Sequence, residues 1–184
     1  MTITIHQPNF MPWYPFFQKM ADADLFVFLN HCQFEKNGYQ NRFNYGQKWY
    51  TMSIFKGLES INKKKYVKPK QDWEKIKNSL KEFNSVLSTF DDFISDSLVE
   101  TNTNIIRKIA EILGIDTKIV FDYETNLNAT DRLVKLCKDF NADTYISGVS
   151  GKKYLDVASF NREGIKVIYQ NEQKMNKKSI VEFL

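Results

Sequence analysis

Two cysteines and two histidines are spread over 184 residues, no apolar run nears the roughly 20 needed to cross a bilayer, and no repeat or low-complexity linker divides the chain. Each absence removes a class of protein. Cys32 and Cys137 are too few and too far apart for a disulfide framework, and with no signal peptide ahead of Met1-Thr2-Ile3-Thr4 they predict a reducing, cytoplasmic setting. Two histidines among scattered carboxylates make no zinc site, so no metal is assigned, although magnesium held by a substrate pyrophosphate would leave no mark in a sequence. The formal charge of +4 favours anionic ligands, but no nucleic-acid reader motif accompanies it, and nucleic acid is not an expected partner.

What the chain does have is concentrated at its start. Three of four prolines fall in His6-Gln7-Pro8-Asn9-Phe10-Met11-Pro12-Trp13-Tyr14-Pro15, directly after a short apolar strand, Ile3-Thr4-Ile5. Proline fixes φ and removes N–H donors, so this is a rigid loop of polar side chains. A strand that ends in such a loop and then feeds a helix is where open α/β sheets bind ligands. The loop is the first candidate for the active or binding site.

At 184 residues the chain has the size of one domain. Helical spacing at Trp13, Phe16, Phe17 and Met20 predicts a helix within 12–23, and Leu25-Phe26-Val27-Phe28-Leu29 a strand buried on both faces, completing a compact βαβ unit. Trp49 to Ile54 reads as the partner of a hairpin near Arg42. Asp72 is placed to cap a helix with Trp73, Ile76, Leu80 and Phe83 on one face, and a shorter helical stretch follows over 84–98, its Asp91-Asp92 pair read as a helix start. A helix over 101–113 carries Ile105, Ile109 and Ile112 on its stripe and stops at Gly114. The helices from about 72 to 113 form an insertion. Strand 117–121, a helix boxed by Asn128 and Asp131 with the stripe Leu133, Leu136, Cys137 and Phe140, and strand 144–146 read as a second βαβ unit. A short helix around 154–160, a strand at 166–169 and a polar tail with Lys174, Lys177 and Lys178 close the chain. The expected fold is a single α/β domain, a mostly parallel sheet flanked by helices, Rossmann-like.

If the strands ending at His6 and at Ser147 lie in one parallel sheet, the two loops share an edge. In Ser147-Gly148-Val149-Ser150-Gly151, glycines free the backbone for a ligand, and the reading stays open between a phosphate cradle and a tight turn. His6 is the candidate general acid or base, with Gln7 and Asn9 beside it for oxyanion stabilisation; the alternative is a histidine that holds its own loop. Gln33, Lys36, Tyr39, Asn41 and Arg42 are polar groups suited to a sugar or phosphate, Arg42 by a bidentate contact. Lysines 63, 64, 65, 68, 70, 75, 77 and 81 stand against Asp72 and Glu74, either as a solvated face or as a cationic lip. Cys137, on an apolar stripe, reads as a buried small hydrophobe.

The run His6-Gln7-Pro8-Asn9 with Pro12-Trp13 and Lys19, Asp24 to Val27, Gln33-Phe34 with Lys36, Tyr39 and Asn41-Arg42 resembles the WbqC-like family, as do Ser147 to Asp156, which includes Tyr154, and Gly164 to Gln170. Asn30 departs from the family, whose members often carry Asp there. The resemblance spans nearly the whole chain, 1–184. It implies a bacterial protein of O-antigen and other surface-polysaccharide clusters, with a suggested transfer of an amino acid such as glycine onto a sugar. A cytoplasmic acyl or aminoacyl transferase acting on a nucleotide-linked amino sugar is the expectation, with a nucleotide or acyl thioester as donor and Lys19, Gln33, Lys36, Tyr39, Asn41, Arg42, Ser147, Gly148, Ser150, Gly151 and Tyr154 as substrate-binding residues. The alternative is a non-enzymatic nucleotide-sugar binder or scaffold. By fold-level analogy the opening also resembles the nucleotide-binding domain of nucleotidylyltransferases and class I aminoacyl-tRNA synthetases, with Met11-Pro12-Trp13-Tyr14 in place of their double-histidine motif.

Overall fold

The computed structural model describes residues 1–184 except 172, 174 and 177, so the predicted tail lysines Lys174 and Lys177 lie outside the described residues. The elements in chain order are β1 (Thr2–His6), α1 (Tyr14–Ala21), β2 (Leu25–Phe28), β3 (Arg42–Tyr45), β4 (Lys48–Thr51), α2 (Pro69–Ser79), α3 (Asn84–Ser88), α4 (Leu98–Ile112), β5 (Lys118–Phe121), α5 (Ala129–Asp139), β6 (Thr144–Ser147), α6 (Val157–Arg162) and β7 (Lys166–Tyr169). They divide into two compact units. The first comprises Met1–His6, Pro15–Leu29 and Asp116–Asn176; the second comprises Gln7–Tyr14, Asn30–Ile115 and Lys177–Leu184.

The first unit is an all-parallel five-stranded sheet of order β5-β2-β1-β6-β7. The chain starts at the centre, moves outward to β2 and β5, then returns past β1 to β6 and β7. That reversal is the doubly wound topology, with its switch point between β1 and β6. β5 and β6 are therefore not neighbours as a simple βαβ unit would have them; the connection through α5 passes over β2 and β1. Alternation along the strands separates two cores. Ile3, Ile5, Leu25, Val27 and Tyr145 meet Leu133, Leu136 and Cys137 of α5 and Phe160 of α6. Burial pushes the Cys137 thiol up to about 12, so it behaves as a small hydrophobe. On the opposite face Phe26 packs on Phe16 of α1, with centroids 5.2 Å apart, and Thr4 Oγ1 donates to Ile146 O at 2.9 Å, tying β1 to β6.

The second unit holds the β3–β4 antiparallel hairpin and α2 to α4. Its interior is aromatic: Phe10 contacts Phe43, Tyr66 and Trp73, with centroids 5.8 to 6.4 Å apart. Several local expectations shift. α1 starts at Tyr14, leaving Trp13 in the loop and 45% exposed. α2 starts at Pro69, a residue suited to the first helical position, so Asp72 does not cap it; its carboxylate accepts from Ser53 N at 2.8 Å and from the Ser53 hydroxyl. Phe83 lies beyond that helix in a 3-10 turn. The stretch 84–98 is helical only as α3 and a turn at Asp91–Phe93, and Asp91 serves α2 by accepting from Trp73 Nε1 at 2.7 Å and Lys77 Nζ at 2.8 Å. α4 starts earlier, at Leu98, with Ser97 as its cap; Ile105, Ile106 and Ile109 are buried while Ile112 is exposed, and Gly114 closes it at φ +68°. Asn128 occupies the cap position of α5 without a side-chain cap bond, so no capping box forms. The last short helix begins at Val157, capped by Asp156. Among the lysine-rich residues, Lys64 turns inward and donates to Gly57 O at 2.9 Å, and Lys77 pairs with Asp91, which leaves neither on a cationic lip.

Candidate functional site

The β1–β2 ladder runs through His6, opposite Phe28, but the β1–β6 ladder stops at Thr4–Ile146. The two strands therefore part at the carboxyl edge. His6 ends one and Ser147-Gly148 ends the other, so the two strand ends lie at the same edge of one sheet at its switch point. Doubly wound sheets bind their ligands in such a crevice.

Alternation puts the His6 side chain on the α1 face, where its ring meets Phe16 edge-on at 4.8 Å. Ser147 is buried and its hydroxyl donates to Gly148 O at 3.0 Å. Gly148 has φ −64°, so conformation does not demand glycine there, and a Cβ at that position would meet only Gln170 Oε1, at an ordinary contact distance of 3.9 Å. Gly151 is different. A methyl group there would run into Ser147 Oγ and would stand 3.0 Å from Leu155 Cδ1, so the glycine permits close packing of the turn on its own strand. Gly151→Ala is expected to cost about 1–3 kcal/mol by overpacking, read from chemical denaturation, and Ser147→Ala in the same chain should recover part of the loss. An unchanged midpoint in the single variant would contradict the close approach.

The loop becomes a five-residue 3-10 turn, Val149–Lys153, rather than a helix start, so its backbone offers no extended row of helix N–H groups. Ser150 and Tyr154 on it are exposed. Across the edge, Gln170 N donates to Ser147 O at 3.0 Å and Gln170 Nε2 donates to Pro15 O at 2.8 Å. The first turn of α1 is thus fastened over the ends of β6 and β7. Lys19 sits one turn further along α1 and is buried.

The remaining predicted residues belong to the second unit. Gln7 Nε2 donates to Cys32 Sγ at 3.3 Å while Gln7 Oε1 accepts from Gln40 Nε2. Asn9 is buried and its N–H donates to Gln7 O at 2.9 Å. A shallow concavity of about 530 Å³ is lined by Gln7, Cys32, Gln33, Phe34, Glu35 and Lys36, which brings Gln7, Gln33 and Lys36 together. Asn41 is not with them: buried, it donates through Nδ2 to Met52 O at 2.7 Å. Arg42 Nε donates to Gly38 O at 3.1 Å, its Nη2 donates to Asn37 O, and its guanidinium lies 4.1 Å over the Trp49 ring beside exposed Tyr39. This arginine holds the turn at 37–38.

Two residues outside the sequence reading organise the proline loop. Asn102, completely buried on α4, donates to both Pro8 O and Gln40 O at 2.7 Å and accepts from the Tyr66 hydroxyl at 2.7 Å. Gln40 is the second. The signal for Asn102 was an amide three residues before Ile105, in line with the apolar stripe of the helix. Among the described residues no three His, Cys, Asp or Glu side chains gather as metal ligands, and no helix is long and apolar enough to cross a membrane.

Comparison with known proteins agrees with the motif reading. The model of the WbqC-like protein family matches residues 7–178. An uncharacterized protein of Mycobacterium tuberculosis, Rv1507c, is 28% identical over 186 residues, which cover 91% of this chain and 80% of that protein. No solved structure matches the chain.

Proposed function

The chain belongs to the WbqC-like protein family, and from that premise we propose that it is a transferase of bacterial surface-polysaccharide precursor synthesis, placing an acyl or aminoacyl group such as glycyl on the amino group of a nucleotide-linked amino sugar. The observation that carries this reading is the parting of β1 and β6 at the topological switch point, with His6 on one side and the Ser147–Gly148 turn on the other. A cytoplasmic setting is part of the proposal.

With a thioester as donor, the sugar amine attacks the acyl carbon, the C–N bond forms and the C–S bond breaks. His6 takes the proton from the amine nitrogen and returns it to the leaving thiolate. The backbone of the Ser147–Gly148 strand end is assigned to the developing oxyanion, since the Gly151 N–H already donates to Gly148 O at 3.0 Å. The concavity at Gln7, Gln33 and Lys36 is a separate candidate for ligand contact in the second unit.

A non-enzymatic sugar-nucleotide binder is the second reading. It is favoured by the edge-on packing of His6 against Phe16, which would suit a histidine that only braces its strand. His6→Ala separates the two. With a nucleotide-linked amino sugar and an acyl thioester, turnover is expected to fall about 10²–10⁴-fold with the melting temperature nearly unchanged; equal turnover, or binding without turnover in the parent, would move the binder reading ahead.

A further inference from the structure

Lys19 is the buried cation for which the fold offers no use. It is 3% exposed, and among the described residues it has no ion-pair partner. An ammonium withdrawn from water without a counter-charge is costly, and a structural lysine gains nothing from that position.

Its place on α1 indicates what it serves. Side chains on a helix lean over the preceding turn, so the stem of Lys19 runs back over Pro15 and Phe16. Pro15 O is held by Gln170, which is bonded in turn to Ser147 O, and the Phe16 ring touches His6. The first turn of α1 is tied to that edge by these contacts, and the general lean of helical side chains directs Lys19 toward it.

The groups around α1 carry little charge. β1 brings Thr4 and His6 to this face, β2 brings Phe26 and Phe28, and Gln170 and Thr117 bond to Pro15 O and Met20 O. His6 is the titratable one of these six. Burial alone lowers the Lys19 amine to about 7, with no charged neighbour contributing. Near neutral pH the amine is poised between its two forms.

We propose that Lys19 is the anion-binding residue of the β1–β6 crevice, and that the diphosphate of an incoming ligand supplies its missing counter-charge. This rests on the transferase reading and names the part of the substrate that Lys19 holds. An apposed phosphate favours the charged amine and returns its proton affinity toward the ordinary lysine range.

The test is titration calorimetry of the whole protein at pH 8 with a panel of nucleoside diphosphates, whose phosphates are essentially ionised there, in two buffers of different ionisation enthalpy; inorganic pyrophosphate, which still carries a proton at that pH, is compared for affinity alone. Binding should take up a large part of one proton, because an amine lowered to about 7 is mostly neutral at that pH. Affinity should fall about tenfold for each pH unit above 7. Lys19→Met should weaken binding at pH 7 at least tenfold and abolish uptake; Lys19→Arg, always charged, should bind without uptake. Binding with no proton uptake, undiminished affinity in Lys19→Met, or no binding of any of these anions would overturn the assignment. The transferase reading fails separately: uptake and binding as expected, with no acyl transfer to any amino-sugar nucleotide, would leave the anion site standing and remove the reaction.

Discussion

Lys19→Met should melt at a higher temperature than the parent protein at pH 6 and lose that advantage as the pH is raised toward 10. The sign follows from the direction of the shift. The native amine is lowered from 10.5 to about 7, so between those values the unfolded chain binds more protons than the folded one, and stability rises with pH. Below 7 both states are protonated and the full penalty of burying the ammonium is present; above 10.5 both are neutral and it is gone. One unit corresponds to about 1.4 kcal/mol, and partial relaxation around the amine leaves a gain on the order of 3 kcal/mol for Met at pH 6, roughly 6–12 °C for a chain of this size. Methionine keeps an unbranched stem of similar length, so the buried volume at this position stays filled. Parallel melts at pH 6, 8 and 10 decide the matter. A gain that does not shrink with pH would show that packing, not charge, is what changed. A residue that weakens the fold at neutral pH, and that we propose holds an anion in the crevice, fits the pattern expected when stability is given up for function.

Asn102→Leu is expected to have the largest destabilising effect of any single polar substitution in the second unit, on the order of 3–5 kcal/mol. The replacement has similar volume and better helix propensity, so the loss comes from the three groups it strands: Pro8 O, Gln40 O and the Tyr66 hydroxyl. Burial, offset in part by the bond to Asn102, holds the Tyr66 phenol well above its usual ionisation, so it remains a donor throughout the accessible pH range. Asn102→Asp separates hydrogen bonding from charge: it keeps the acceptor for Tyr66 but loses both amide donors, and should also be destabilised. Urea unfolding gives the size of the effect. Hydrogen exchange at Phe10, whose N–H is bonded to Tyr39 O, gives its location. If protection at Phe10 is unaffected in Asn102→Leu, the amide does not hold the proline loop.

All five strands of the parallel sheet could be read from the sequence, because β2, β6 and the others are short apolar runs flanked by polar residues. Their order could not. Pairing of Thr4 with Ile146 spans 142 positions, and nothing in either segment names the other. Helix starts failed where two signals competed: Pro69 and Asp72 both mark a first turn, and the proline prevailed because its fixed φ suits the first helical position. The division into two units was not read from the sequence either: His6 and Gln7 are adjacent yet fall on opposite sides of it. Of the candidate site, the meeting of the His6 and Ser147 strand ends followed from their being strand ends in a parallel sheet. That Asn41 and Arg42 bind their own backbone did not, because a side chain capable of holding a ligand is equally capable of holding a turn.

The interleaving of the units bears on how the protein is made. As the chain leaves the ribosome, β1 can pair with β2 after fewer than thirty residues, but its other neighbour, β6, emerges only when most of the sequence has been synthesised. Meanwhile residues 30–115, the bulk of the second unit, are already free to fold. The half-built sheet therefore waits with the β6 side of its central strand uncovered, and that exposed strand is where premature association between nascent chains would begin.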